Sequence, residues 1–371
     1  MTIEIIPVTP TQSNLEEMFT AGDVPDIIMA ADFRYLPIFK DTELAYDMTE
    51  LIERHRFDIS RFDQNFLELM RSYSEDSTEL WGLPFMQNKA ALHYNKDIFD
   101  LFGVEYPTDD MIYEEVIDLA AKVTGERGGI NFDGFVMPST NRYLYAPLGL
   151  TLLDPVTDEP QFLTEPAFRH IFDTYKQADD LLIEASTHGD NARNRFVADQ
   201  DLAMIPMYFI GLEWTGLLEA EEQGMNWDIV TFPKWEEQGD VSAFADGYWI
   251  GVSAISEHKD QAFKVIEFLL SDEEIIRKIR YPEESVYADE EFFEQAEHIR
   301  SPLLNDKNME ALIKYPAPPA PDGRSQYEDL ALEIVGEKVS DFLESGQDVN
   351  TFLRELQEEI EKRIEDEKGS Q

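Results

Sequence analysis

Short apolar runs alternate with amphipathic stretches along most of the chain, the pattern of an α/β protein. Residues 3–8 read as a strand, and residues 12–20 place Leu15, Met18 and Phe19 at helical spacing before Gly22. Residues 25–30 are a continuous apolar run, which predicts a parallel strand buried on both faces. The loop behind it, residues 31–34, then lies at the carboxyl end of a sheet, where open α/β sheets bind ligands. Residues 80–85 and 90–94 read as strands, and Asn95 caps a short helix that Gly103 ends. Residues 111–124 predict a helix with Val116, Leu119, Ala120 and Val123 on one face. Residues 201–206, 227–232 and 246–253 read as strands, the last followed by an amphipathic helix over 259–270. The final third is helical, with Leu332, Val335, Val339 and Phe342 in one stripe and Val349, Leu353, Leu356, Ile360 and Ile364 in another. The Pro-rich stretch 315–321 comes too late to divide two sequential domains. The expected organisation is therefore interwoven: 1–87 with 247–295 as lobe 1, and 88–246 with 296–371 as lobe 2.

Composition narrows the function. The 371 residues, 43% of them hydrophobic, are enough for two full cores. Cysteine is absent, which removes disulfides, thiolate metal sites and cysteine nucleophiles. Seventy-seven acidic against 30 basic residues give a net charge of −47. Such a surface repels phosphate backbones and anionic headgroups, so nucleic acid is excluded as a partner. No run approaches the roughly 18 apolar residues of a membrane span.

Recognisable catalytic machinery is missing. There is no phosphate-binding glycine loop, no nucleophile elbow and no paired-histidine zinc motif. The six histidines lack ligand spacing, so neither a metal nor a cofactor is expected. Asp154 to Glu159 lacks the glycine and distal glutamate of a calcium loop and reads as a solvated turn. With so many carboxylates, a pair at glycosidase spacing arises by chance and argues nothing.

Seven segments in order carry a resemblance. They are Val24-Pro-Asp-Ile-Ile-Met29, Tyr46-Asp-Met-Thr-Glu-Leu-Ile52, Leu80-Trp-Gly-Leu-Pro-Phe85 with Ala90-Ala-Leu-His-Tyr-Asn-Lys-Asp97, the Phe102-Gly-Val loop reaching Met111, Phe196 to Met204, Trp227-Asp-Ile-Val-Thr-Phe-Pro233, and His258 to Leu269. Together they resemble the family 1 extracellular solute-binding proteins, in the manner of the carbohydrate-binding lipoproteins of Gram-positive bacteria. The resemblance implies a periplasmic-binding-protein-like fold: two α/β lobes joined by a multi-segment hinge, with a helical C-terminal part. It also implies a monomer that is not an enzyme, holds a carbohydrate between the lobes by hinge closure, and delivers it to the permease subunits of an ABC transporter. Family members carry an export signal, often with a lipid-modified cysteine, and are attached to the cell surface. Residues 1–6 hold neither a basic leader nor a signal-type stretch. The expectation is that this chain lacks its leader and first strand–helix unit, ~40–80 codons.

Sugar recognition needs flat rings against pyranose C–H faces and planar polar groups for hydroxyls. The candidates follow strands at carboxyl ends. Asp32 and Arg34, flanking Phe33, come first. Maltose-binding relatives place a sugar-binding carboxylate six residues before the signature tyrosine, which here is Asn88, six before Tyr94; an amide both donates and accepts. Arg142 and Tyr143, with Asn141 and Tyr145, form an unusual run of exposed-type rings beside arginine. Tyr208, Asp246, Tyr248 and Arg324 complete the set, with Phe209 and Tyr327 as neighbours. Trp81 and Trp249 read as core, Trp214 offers a ring for stacking or packing, and Trp235, in a loop after Pro233, offers an exposed ring. The alternatives are a glycoside hydrolase and a binding protein for a peptide, polyamine or glycerophosphodiester. Abundant aromatic residues with few candidate anion-binding cations favour a neutral sugar.

Overall fold

The computed structural model describes residues 6–7, 11, 14–15, 17–18, 25–31, 33–73, 78–138, 142–183, 190–208, 216–243, 247–278, 285–287, 292 and 304–370. The strand expected over 3–8 falls almost wholly outside them. Eight strands are present among the described residues: β1 (Ile27–Ala31), β2 (Leu83–Gln87), β3 (Ala90–Asn95), β4 (Gly125–Arg127), β5 (Ile130–Phe135), β6 (Leu202–Tyr208), β7 (Trp227–Thr231) and β8 (Gly247–Val252). The backbone forms two compact units, 1–88 with 245–302 and 89–244 with 303–371.

Unit 1 is built on a three-stranded sheet in the order β1-β8-β2, and β8 is antiparallel to both neighbours. This corrects the parallel, doubly buried strand expected at β1. Ile28 faces the core at 6% exposure, whereas Met29 is 50% exposed. The physical reason is the neighbour: an antiparallel sheet can bury one face and leave the other open. Trp249 lies fully buried under the sheet, edge-on to Phe39 at 5.4 Å. Both neighbouring glycines are dictated by it and by Trp81. A Cβ on Gly82 would sit 2.7 Å from the Trp249 ring, and one on Gly251 2.5 Å from the Trp81 carbonyl oxygen. Asp47 fastens the Thr49–His55 helix by accepting from Thr49 N (3.0 Å) and Leu80 N (3.2 Å). Arg54 and His55 then reach Asp260 on the Lys259–Leu269 helix, each at 3.0 Å.

Unit 2 holds the five-stranded sheet β4-β5-β6-β3-β7. β5 and β6 are parallel, and β3 is antiparallel to both β6 and β7, so β5, β6 and β7 point the same way. Helix signals in the sequence act as expected. Asn95 accepts from Asp97 N (3.0 Å) and Ile98 N (3.4 Å), and Gly103, at φ +69°, ends that helix. The Tyr113–Val123 helix buries Val116, Ala120 and Val123 against the sheet. Gly134 of β5 allows this approach, since a Cβ there would lie 2.3 Å from the Ala120 carbonyl oxygen. The last third forms two helices, Glu328–Ser345 and Val349–Ser370, joined to the same core through the Phe342–Phe352 stack (4.2 Å) and Phe172. The buried stripe of the first runs through Ala331, Ile334, Val335, Val339 and Phe342, while Leu332 is only partly covered. Where β6 begins, beside the middle of β5, Arg195 is held between Asp133 (2.6 Å) and Asp201 (2.7 Å), with Asp133 wholly buried.

Edge strand β7 is covered by the returning segment. Asn308 N donates to Asp228 (2.9 Å) and its side chain to Asp109 (3.0 Å), while Lys314 meets Asp110 at 2.7 Å. Such cover removes an edge that would otherwise pair with another chain.

Candidate functional site

Because β5, β6 and β7 run together, their carboxyl ends form one rim of the unit 2 sheet. Register places Ala90 of β3 opposite Tyr208 and Ala91 opposite Thr231, so Tyr208 and Phe232 stand on the same transverse row. The short helix Arg142–Tyr145 packs across that row. Tyr143 lies 5.4 Å from the Tyr208 ring and 5.0 Å from Phe232. Trp235 supports it: its indole Nε1 donates to the Leu144 carbonyl at 2.6 Å, and Tyr113 stacks on it at 4.4 Å.

A charge cluster sits around Tyr145, at the end of that short helix. Asp329, in the first turn of the Glu328–Ser345 helix, receives Arg142 at 3.2 Å and Arg324 at 2.5 Å, both on Oδ1. Each arginine side chain is 12% exposed and the aspartate 38%. Acidic side chains in a first turn also meet the positive end of the helix dipole. The neighbouring Glu328 is buried and accepts Leu152 N (2.7 Å) and Leu153 N (3.1 Å). Burial pushes its carboxyl up, against the two N–H bonds and Arg324. Burial, with Glu328 next, also pushes the Tyr145 phenol up. Ser325, donating to Asp158 at 2.8 Å, and the Lys368 ammonium over the Tyr327 ring at 5.1 Å hold the 324–329 turn.

Unit 1 gathers its own candidates at one end of its sheet. Tyr248 pairs with Ala31 and with Met86, and Gly247 with Gln87, so the last residues of β1 and β2 and the first of β8 share that end. Gly247 must be glycine, since a Cβ would lie 2.1 Å from the Met86 carbonyl oxygen. Tyr248 and Asn88 are part-buried. Arg34 lies in a 3₁₀ turn, Phe33–Tyr35. Asp32, Asp246, Asn141, Phe209 and Trp214 lie outside the described residues.

Structure thus brings Arg142, Tyr143, Tyr208 and Arg324 together in unit 2, and Tyr248 with Asn88 in unit 1. It also corrects two expectations of exposure. Tyr143 and Tyr145 are each 5% exposed, so the run 143–145 packs inward and Tyr208 is the more open ring. Trp235 is fully buried, because its indole N–H finds a backbone partner there. Two neighbours, Phe232 and Asp329, were not among the sequence candidates. The available signals were the end of the 227–233 motif and an acidic residue two beyond Tyr327. A groove of about 490 Å³ between the two C-terminal helices is lined by none of the candidates.

Residues 1–280 match the family described as bacterial extracellular solute-binding protein. The chain belongs to that family. A binding protein of Brucella abortus is 26% identical over 221 residues, 56% of this chain and 51% of its own length. The chain therefore spans about half the length of the curated relatives it matches. Among solved structures, this solute-binding protein resembles an ABC substrate-binding protein of Listeria monocytogenes in complex with cycloalternan (TM-score 0.70, 18% identity, 95% of this chain and 88% of that one). It is similar to the sugar-binding protein MalE of Xanthomonas citri (TM-score 0.71, 18%, covering 96% and 88%). It is also similar to UgpB of Mycobacterium tuberculosis in complex with glycerophosphocholine (TM-score 0.71, 14%, covering 96% and 88%). At these identities the likeness establishes the periplasmic-binding-protein-like fold. Solute-binding proteins of this family are not an enzyme family.

Proposed function

We propose that this solute-binding protein is the carbohydrate-capturing component of an ABC importer, working as an exported, surface-attached monomer that hands its ligand to permease subunits. The observation that carries the reading is the part-buried Tyr208 ring at a carboxyl rim, backed by the buried rings of Tyr143 and Phe232, in a unit whose two nearby candidate arginines are already met by a carboxylate. A ring of this kind meets the apolar face of a pyranose, and paired cations do not demand an anion. Asp32, Arg34, Asn88, Arg142, Tyr143, Tyr208, Asp246, Tyr248 and Arg324 form the proposed ligand set. The solved relatives holding sugars support the carbohydrate class.

The test is a thermal-shift and fluorescence screen with maltotetraose, mannotriose, cycloalternan, glycerophosphocholine, a short peptide and spermidine. A saturable rise in melting temperature with an oligosaccharide, left chemically intact, is expected. A response confined to glycerophosphocholine, peptide or spermidine overturns the carbohydrate class. Cleavage of the glycan overturns the receptor reading in favour of a hydrolase.

A further inference from the structure

Asp329 has a geometry that its role as an arginine partner does not exhaust. Both guanidiniums converge on Oδ1, which fixes the carboxylate plane, while Oδ2 makes no hydrogen bond among the described residues. The side chain is 38% exposed although each arginine is 12% exposed, so the acid is the more accessible member of the cluster. With Arg142 and Arg324 it stands near Tyr145, on the same short helix as Tyr143. A carboxylate held this way has already lost its rotamer freedom, so it accepts a ligand hydroxyl with little further ordering cost. Its charge also balances the arginines: with Glu328, two carboxylates face two guanidiniums.

We propose that Asp329 is a ligand-contacting and charge-selecting residue, offering Oδ2 to a hydroxyl of an uncharged sugar and refusing an acidic one. This rests on the carbohydrate reading. A uronate in its place sets two carboxylates side by side, and like charges at such range repel and disfavour the doubly ionised pair. Without the Asp329 charge Glu328 alone balances the two guanidiniums, and the surplus of positive charge attracts the same uronate.

The experiment compares parent, Asp329→Asn and Asp329→Glu by calorimetric titration with a neutral oligosaccharide series and with oligogalacturonides, after melting curves establish folding. The parent should bind a neutral member and no oligogalacturonide. Asp329→Asn should lose roughly 10- to 100-fold toward the neutral sugar, the worth of a hydrogen bond to a charged group, and gain measurable affinity for the acidic one. Asp329→Glu keeps the charge and moves the oxygen, so it should weaken neutral binding without admitting the uronate. It serves alone if the Asn variant fails to fold. Parent-like neutral binding in the variants, or a parent that prefers the uronate, overturns the assignment while leaving the carbohydrate reading standing. Silence toward every glycan from all three proteins overturns both.

Discussion

His93 shows how a single residue carries a pH dependence unrelated to ligand. It is fully buried on β3, its ring stacked on Trp227 at 5.9 Å, with Nδ1 3.2 Å from the Ala91 carbonyl oxygen. Burial lowers its pKa from 6.5 to about 3. The unfolded chain therefore takes up a proton between those values that the folded chain refuses. Stability is full above pH 6.5 and falls as pH drops through the window, by about 1.4 kcal/mol per pH unit. Urea titrations at several pH values should give a shallower acid limb for His93→Phe than for the parent, since carboxylate contributions are common to both. A second prediction concerns Asp133. Its removal strands Arg195 without its most buried partner, so Asp133→Ala should lose about 3–5 kcal/mol in the same assay. Tyr208→Ala, part-buried at the rim, should weaken glycan binding with a small stability change, whereas Tyr143→Ala should lose about 3–5 kcal/mol of stability as well, as a buried ring does. That contrast was not legible in the sequence. Adjacent tyrosines beside arginine look alike as letters, and only the packing of Phe232 and Trp235 beneath them decides which ring is covered.

At the level of elements, local signals were read well and long-range ones were not. The Asn95 cap, the Gly103 stop and the Tyr113–Val123 helix are each written in fewer than fifteen consecutive residues, as periodicity requires, and all appear. The direction of β1 was misread because its partner, β8, lies some two hundred residues on, and an apolar run is silent about its neighbour. Leu332 packs against the core with only partial cover, because Ala331 and Ile334 take the inward face beside it. The candidate site was legible as a list of loops at carboxyl ends, but not as a cluster. Asp329 joins Arg142 to Arg324 across 187 residues of sequence in one case and five in the other. Gly247→Ala tests the strand junction in unit 1. Its Cβ would meet the Met86 carbonyl, so β2 and β8 must part where Tyr248 sits. Hydrogen exchange should quicken in β2 and β8 while unit 2 strands keep their protection.

For the whole molecule the dominant quantity is charge. A net −47 spread over the surface opposes compaction, and salt shortens its reach from ~10 Å at 0.1 M to ~3 Å at 1 M. Melting temperature should rise with NaCl and equally with KCl. A flat response would show that the carboxylates left over after pairs such as Arg54–Asp260 and Lys368–Asp158 stand too far apart to repel one another appreciably.

The order β1-β8-β2 also sets a clock. During synthesis β1 and β2 emerge early, yet the strand that joins them begins about 160 residues after β2 ends. At ~5–20 residues per second the ribosome takes roughly 8–32 s to deliver it. Through that interval the first unit holds two apolar strands with a missing centre, while β3 to β7 of the second are still being delivered. The nascent chain must therefore be shielded at its leading end, where two early-made strands wait for a late-made partner.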